Sequence, residues 1–433
     1  MKLKSSSFIN VILIIQFVIF SSHVNAYTNC EKDLPSVSLT KDDALARLLQ
    51  CNRDIVDAKR AFIANETGLI TASETQNPIL TLGIGELNPK LGIGPGSVFD
   101  KTIDSSIRYE QLIERGGKRD LRIKSSQSLI AGSQQDILEA QRLQSTQLFK
   151  AMVDLAAAHQ KIGLLSEVVS LYQDTLQANN IRTQKGDLPR LDAERQIIDF
   201  NHAQIDFQQA LADKKIAQLA LANLLAWEKQ AELIQVDDAI LNVISLQNDE
   251  FNTDARSDVK AAKRRVEATT SLRELAQAQQ KVDITASVQY DHWPTSPSNT
   301  TGTGDTIGFT VSVPLQINHR YEGEIARANS DFEAANEVLE RVQANAKADW
   351  FRFNADVTSA DNKLKILQND QMPRAENVAK TVELGYKKGA LSLIDLLDAR
   401  RMLRQTRLDL LEARANLARS VLILNQAIAA NKI

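Results

Sequence analysis

The chain has 433 residues, a formal charge of -3 and only 5% aromatic residues. Its near-neutral balance lacks the basic excess that nucleic acid binding draws on, and its aromatics are too few for a soluble all-β protein. Long stretches rich in Ala, Leu, Gln, Glu, Lys and Arg point instead to extended helices.

Residues 1–26 read as an export signal. Lys2 and Lys4 form a positive start, Phe8 to Phe20 an apolar stretch broken by Asn10 and Gln16, and Val24-Asn25-Ala26 a cleavage site. The apolar stretch falls short of the roughly 17–25 residues that span a bilayer as a helix. Tyr27-Thr28-Asn29 before Cys30 is a poor lipidation site. Cys30 and Cys51 are then the two thiols of the exported chain. In an oxidising compartment they pair in a disulfide closing a loop of about 20 residues, or stay as two unpaired thiols, since sequence does not set their separation.

A helix is expected from Thr40, an N-cap followed by Asp42 and Asp43, to about Thr75. Asn77-Pro78 breaks it, and Ile79 to Gly85 reads as a strand. Gly and Pro make residues 88–102 a loop, and a second strand follows over 103–113 with Ile103, Ser105, Ile107 and Tyr109 on one side. From Lys118 no breaker occurs until Gly186, giving a helix of about 100 Å at about 1.5 Å per residue. Gly186-Asp187-Leu188-Pro189 reverses the chain into a further helix of about 35 residues, which makes a coiled-coil hairpin.

The same order then recurs. Helix is expected over Ser257 to Gln280, strand over Asp283 to Tyr290, loop over 291–305 and strand over Thr306 to Leu315. A long helix begins near Tyr321, is kinked by Pro373, and turns at Gly389-Ala390-Leu391-Ser392. Direct comparison supports a duplication. Asp54-Ile55-Val56-Asp57-Ala58-Lys59-Arg60 answers Asp258-Val259-Lys260-Ala261-Ala262-Lys263-Arg264. Lys185-Gly186, Leu188, Leu191 and Asp192 answer Lys388-Gly389, Leu391, Ile394 and Asp395. The chain is therefore read as a signal (1–26), a first repeat (27–243; strands about 79–87 and 103–113, hairpin 118–226) and a second repeat (244–433; strands about 283–290 and 306–315, hairpin 321–430).

Four short strands cannot bury themselves within one chain against helices so long. Transmembrane strands of about 9–11 residues must close into a barrel, and four are too few. Three chains contributing four each would give twelve, and export makes an outer membrane the setting.

The order, spacing and duplication of these pieces resemble the TolC-like outer membrane efflux family over essentially the whole exported chain. The resemblance is carried by Asp258 through Ala276 before a strand, Val313-Pro314-Leu315, Gly323-Glu324-Ile325 with Ala328, and Tyr386 through Ala399. Gln111 through Arg119, with Gly116-Gly117, is similar to the barrel-to-helix junction of the CzcC-like branch, which serves heavy-metal exporters. A Gly pair also suits that turn on structural grounds alone. The resemblance implies a mainly α fold with a membrane β-barrel portion: a homotrimer with a twelve-stranded barrel in outer membrane lipid and a long periplasmic α-barrel. It implies a passive duct, coupled through a periplasmic adaptor (membrane fusion) protein to an inner-membrane RND-type pump, with no cofactor.

By the same resemblance Asp395 and Asp398 match carboxylates that ring the periplasmic constriction. A ring of three copies would favour cations and raise the carboxylate pKa values by like-charge repulsion. Asp192 and Tyr386 match a hydrogen-bonded pair that holds the entrance closed, while Leu391 stands where the archetype has an arginine. The tips around Gly186, Leu188, Gly389 and Leu391 are expected to meet the adaptor, with Leu188 and Leu391 as exposed apolar contacts. Their glycines are equally suited simply to reversing a helix.

His23, His159, His202, His292 and His319 are scattered, without ligand spacing. His292 and Trp293 lie beside the outer loop as interfacial residues. No nucleophile, base and orienting acid recur in a recognisable motif, so an enzyme is not expected. The competing reading is a secreted coiled-coil structural or adhesion protein.

Overall fold

The computed structural model describes residue 30 and residues 38–85, 103–186, 188–242, 251–293 and 304–428. The export signal and the 243/244 repeat boundary lie outside them. Two compact units emerge. Of the described residues, one unit draws on those within 58–138 and 253–346 and holds the four described strands; the other draws on those before 58, within 139–252 and after 346.

The strand-bearing unit is built on one antiparallel sheet in the order β1 (Ile79–Gly85), β2 (Asp104–Ile113), β3 (Ile284–Trp293), β4 (Gly304–Ser312). β4 stops short of the expected Leu315, just before Pro314, which has no N–H for a ladder. β3 runs three residues past Tyr290. Register gives the sheet two faces, because directly opposed residues share a side. Leu80, Tyr109, Val288 and Phe309 form one row, and Leu82, Ile107, Tyr290 and Ile307 another on the same side. The opposite side carries Thr81, Arg108, Gln289 and Gly308, then Gly83, Ser106, Asp291 and Thr306.

The apolar side is uncovered: Leu82 is 69% and Phe309 80% exposed. Burying such a side chain is worth about 1.5–3 kcal/mol, so leaving a whole face in water would be costly. Neither β1 nor β4 has a second partner strand among the described residues. No described helix is long and apolar enough to cross a membrane.

Helices of this unit include most of α2 (Arg53–Ser73), the start of α3 (Lys118–Gln184), α5 (Ser257–Ala278) and the start of α6 (Glu322–Ile366). The turn into α3 uses Gly116 and Gly117 at φ of +80° and +70°, a conformation costly for residues with a Cβ.

The second unit contains α1 (Lys41–Cys51), the rest of α3 and α6, α4 (Arg190–Leu225), α7 (Met372–Lys387) and α8 (Leu393–Ile428). Thr40 caps α1 through the Asp43 N–H, 3.3 Å away. The single helix expected to Thr75 is two. Asn52 ends α1 in an extended conformation, and its Oδ1 then accepts from the N–H groups of Asp54 and Ile55 to start α2. Its Nδ2 donates to Leu224 O at 3.1 Å, so the interruption is bonded to α4. Cys30 and Cys51 are joined in a disulfide. Arg47 donates to the Cys30 carbonyl and lies over the Trp227 ring. The main core gathers Leu48, Ile55, Leu148, Met152, Leu221 and Leu225 with Ala415, Ala418 and Leu422 of α8.

Pro373 produces a π turn. Residues Leu367–Gln371 form it between α6 and α7, with Met372 N–H bonded to Leu367 O. One residue is looped into the ladder just where proline removes a donor and crowds the preceding turn.

Candidate functional site

Two hairpin tips meet in the second unit. Two residues past the end of α3 stands Gly186, whose φ is +84° and whose N–H donates to Thr183 O at 3.1 Å. α7 ends with the same device. Gly389, at φ +74°, donates to Tyr386 O (3.0 Å) and Ala390 N–H to Gly385 O (2.9 Å), which together satisfy carbonyls of the last turn.

Between the tips lies a small apolar core of Val168, Tyr172, Leu188, Ala203, Leu393, Leu396 and Leu397. Leu188 is only 8% exposed. The expectation of an exposed Leu188 is thereby corrected: its folding purpose is to pin the first tip onto the start of α8. Leu391 remains partly exposed and folds back over α7, where a Cβ on Gly385 would stand 2.6 Å from its Cδ1.

Asp395 caps α8. Ser392 N–H and Oγ donate to its Oδ2 at 2.9 and 2.7 Å, and its own N–H donates to Ser392 Oγ at 3.2 Å. The Ser392 hydroxyl and then the Ser392 N–H hold the Asp395 carboxyl below its ordinary range. The rise expected from a ring of like charges would act against these bonds. Asp398, one turn on, pairs with Arg401 at 2.8 Å.

Tyr386 and Asp192 are not brought together within one chain. Tyr386 donates to Asn179 Oδ1 (3.0 Å) and accepts from Arg182 Nη1 (2.8 Å), whose guanidinium also lies 5.5 Å from its ring. Asn179 in turn donates to the buried Gln196 at 2.9 Å. Asp192 sits 3.6 Å from Arg195 on its own helix.

The polar contacts that join the hairpins fall largely on residues the sequence reading passed over. Arg401 binds Asp199 at 2.7 Å, Arg404 reaches Asp206 at 3.3 Å, and Arg400 donates to Thr175 at 2.8 Å. Burial depresses the Arg400 guanidinium, with Glu383 opposing that. A signal was present: Asp192, Asp199, Asp206 and Asp213 recur every seventh residue along α4. That period keeps them on one face of a coiled-coil helix, and the last of them meets Lys161 at 3.2 Å.

A groove of about 820 Å³ runs between α3, α4 and α8, with Lys150, Asp154, Asp213, Asp409, Glu412 and Arg419 at its walls. Among the described residues no three His, Cys, Asp or Glu side chains gather as a metal site.

Comparison with known proteins agrees with this geometry. Residues 253–430 match the family model described as outer membrane efflux protein. The chain is 21% identical over 391 residues to the cobalt-zinc-cadmium resistance protein CzcC of Cupriavidus metallidurans, covering 86% of this chain and 85% of that protein. It is 24% identical over 309 residues to the outer membrane protein TolC of Vibrio cholerae, covering 61% and 67%. Its fold resembles the outer membrane protein VceC of Vibrio cholerae with a TM-score of 0.74 at 16% identity, over 90% of this chain and 95% of that one.

Proposed function

Because the chain belongs to the outer membrane efflux protein family, we propose that three copies close one passive export duct for metal cations, fed by an inner-membrane RND-type pump through a periplasmic adaptor. Membership makes it an outer membrane efflux channel with a long periplasmic helical part, and not an enzyme. The observation that carries the assembly is the sheet. One face is apolar and uncovered, the other polar, and among the described residues neither edge strand has a second partner. Lipid tolerates only a closed ladder, so each edge needs another copy.

The cargo reading rests on the relative named for cobalt, zinc and cadmium resistance, whose similarity covers 86% of this chain. In this reading Asp395 and Asp398 line the constriction, Asp192 and Tyr386 belong to the contacts that close it, and the Gly186 and Gly389 turns with Leu188 and Leu391 shape the ends the adaptor grips. The test is deletion of the chain in its native host. Sensitivity to cadmium, zinc or cobalt should rise while tolerance of dyes and detergents stays the same. Sensitivity confined to organic compounds would remove the metal assignment, and a soluble periplasmic monomer would remove the duct.

A further inference from the structure

The two ends of the apolar sheet face are unlike. Away from the helices the row Ile84, Ser105, His292 and Asp305 turns polar. Toward the helices the apolar rows run on. Ile113 pairs with Ile284, and the register that sets Thr285 against Ser312 brings Val313 level with Ile284. Along β4 and its exit the apolar rows are thus those of Ile307, Phe309, Val311 and Val313. Rows lie two residues apart, about 5 Å of height on a strand tilted as barrel strands are, so they cover about 20 Å together. The apolar band of an outer membrane barrel is about 25 Å tall. The sheet falls about one row short.

The long junction between β4 and α6 holds residues that fill this gap. Leu315 is 78% and Ile317 70% exposed. Ile317 N–H donates to Leu315 O at 3.0 Å, a turn tight enough to set the two residues side by side. Polar bonds hold the junction against the end of α5: Gln316 Nε2 donates to Gln279 O at 3.1 Å, and Gln280 Nε2 to Arg320 O at 3.2 Å. The aliphatic pair is left uncovered while its polar neighbour is engaged. Asn318, His319 and Arg320 follow, residues suited to a headgroup layer. At the exit of β2, by contrast, Glu114 and Arg115 come directly after Ile113, so that junction supplies no further apolar row.

We propose that Leu315 and Ile317 form a membrane foot, which enters the periplasmic leaflet of the outer membrane and packs on phospholipid acyl chains just beneath the headgroups. The foot completes the apolar band that the sheet leaves short. It rests on the reading that the sheet lies in lipid as part of a barrel. Its occupant is lipid because the pair continues the apolar face of the sheet, whereas a neighbouring copy would meet the edge of β4. Two adjacent exposed aliphatic side chains are costly in water and favourable at that depth.

The test reconstitutes the full chain in phosphatidylcholine vesicles carrying bromine either high on the acyl chains or near their methyl ends. Tryptophan fluorescence is read against the wild type, whose Trp227, Trp293 and Trp350 give the background. Leu315→Trp and Ile317→Trp should lose their added fluorescence chiefly to the shallow bromine and little of it to acrylamide in the water. Phe309→Trp, within the sheet face, should lose it chiefly to the deep bromine. All three positions are highly exposed, so the larger ring is accommodated. A Phe309→Trp signal that neither bromine reaches would overturn the barrel reading and the foot with it. Bromine quenching of Phe309→Trp, with Leu315→Trp quenched by acrylamide instead, would overturn the foot alone. So would a Leu315→Trp signal shielded from both quenchers, which would mean that a second copy covers the turn.

Discussion

The chain turns from a strand into a long helix twice, by different means. After β2 only Glu114, Arg115, Gly116 and Gly117 precede α3, and both glycines take positive φ. Asp283, at the start of β3, accepts from Arg115 N–H (2.9 Å) and Lys118 Nζ (2.8 Å), while Arg122 grips Glu114 with bonds of 2.6 and 2.9 Å. After β4 the segment 313–321 contains no glycine. There Tyr321 itself takes a φ of +62°. Gln280 holds the Arg320 carbonyl at 3.2 Å, and His319 packs edge-on to the Tyr321 ring at 4.5 Å and lies 3.2 Å from Glu324. One junction is short, free of side-chain strain and pinned by charge. The other is long and stores strain behind weaker, exposed contacts. Similar topology does not imply similar energetics, and the first junction should be the more sensitive to single changes.

The largest expected effect is at Asp283. Lys118 is nearly buried, so Asp283→Asn should cost about 2–3 kcal/mol by stranding its ammonium. Thermal unfolding in detergent measures this. A loss within the roughly 0.5 kcal/mol scatter of surface substitutions would refute charge pinning. Burial alone would push the Asp283 carboxyl up, but the bonds from Lys118 and Arg115 outweigh it and hold it below its ordinary value. A depressed carboxyl contributes stability that is complete above its unfolded pKa, about 4, and is lost as pH falls through the lower folded value. Asp283→Asn should remove that acid-sensitive component.

Next in size is Gly116. A Cβ there would stand 2.9 Å from Lys281 Cδ and 3.3 Å from Ala278 O, whereas Gly117 faces open space at a similar φ. Gly117→Ala should cost about 1–2 kcal/mol from conformation alone. Gly116→Ala should cost more, and equal losses would mean that packing contributes nothing to this turn.

What could be read in advance follows the range of the forces involved. Periodicity and breakers locate the four strands and the long helices because each is decided within a few residues. Gly186 and Gly389 are legible for the same reason, their left-handed backbones being local. Asn52 was missed as a helix break because its capping bonds gain from the distant Leu224 carbonyl. The partners of Tyr386 are harder still. Asn179 and Arg182 look like ordinary polar residues of α3, and only the folded chain places them beside a tyrosine some two hundred residues on. The acids of α4 fall between these cases: their seven-residue spacing is visible, but which cations they meet is not.

The smallest effect is the sharpest test of stored strain. A tyrosine held at positive φ pays roughly 1 kcal/mol or more that glycine would not. Glycine in turn loses more chain entropy on folding, by about 0.5–1 kcal/mol, and forfeits the ring contact with His319. Tyr321→Gly should therefore be close to neutral, a net change below about 1 kcal/mol in either direction. Tyr321→Asn separates the contributions, since asparagine tolerates this backbone without the full entropy loss of glycine. If strain dominates, Asn should unfold at a higher temperature than Tyr. If the His319 contact dominates, both variants should unfold lower, and the second junction would then be held by its aromatic pair and not merely endure it.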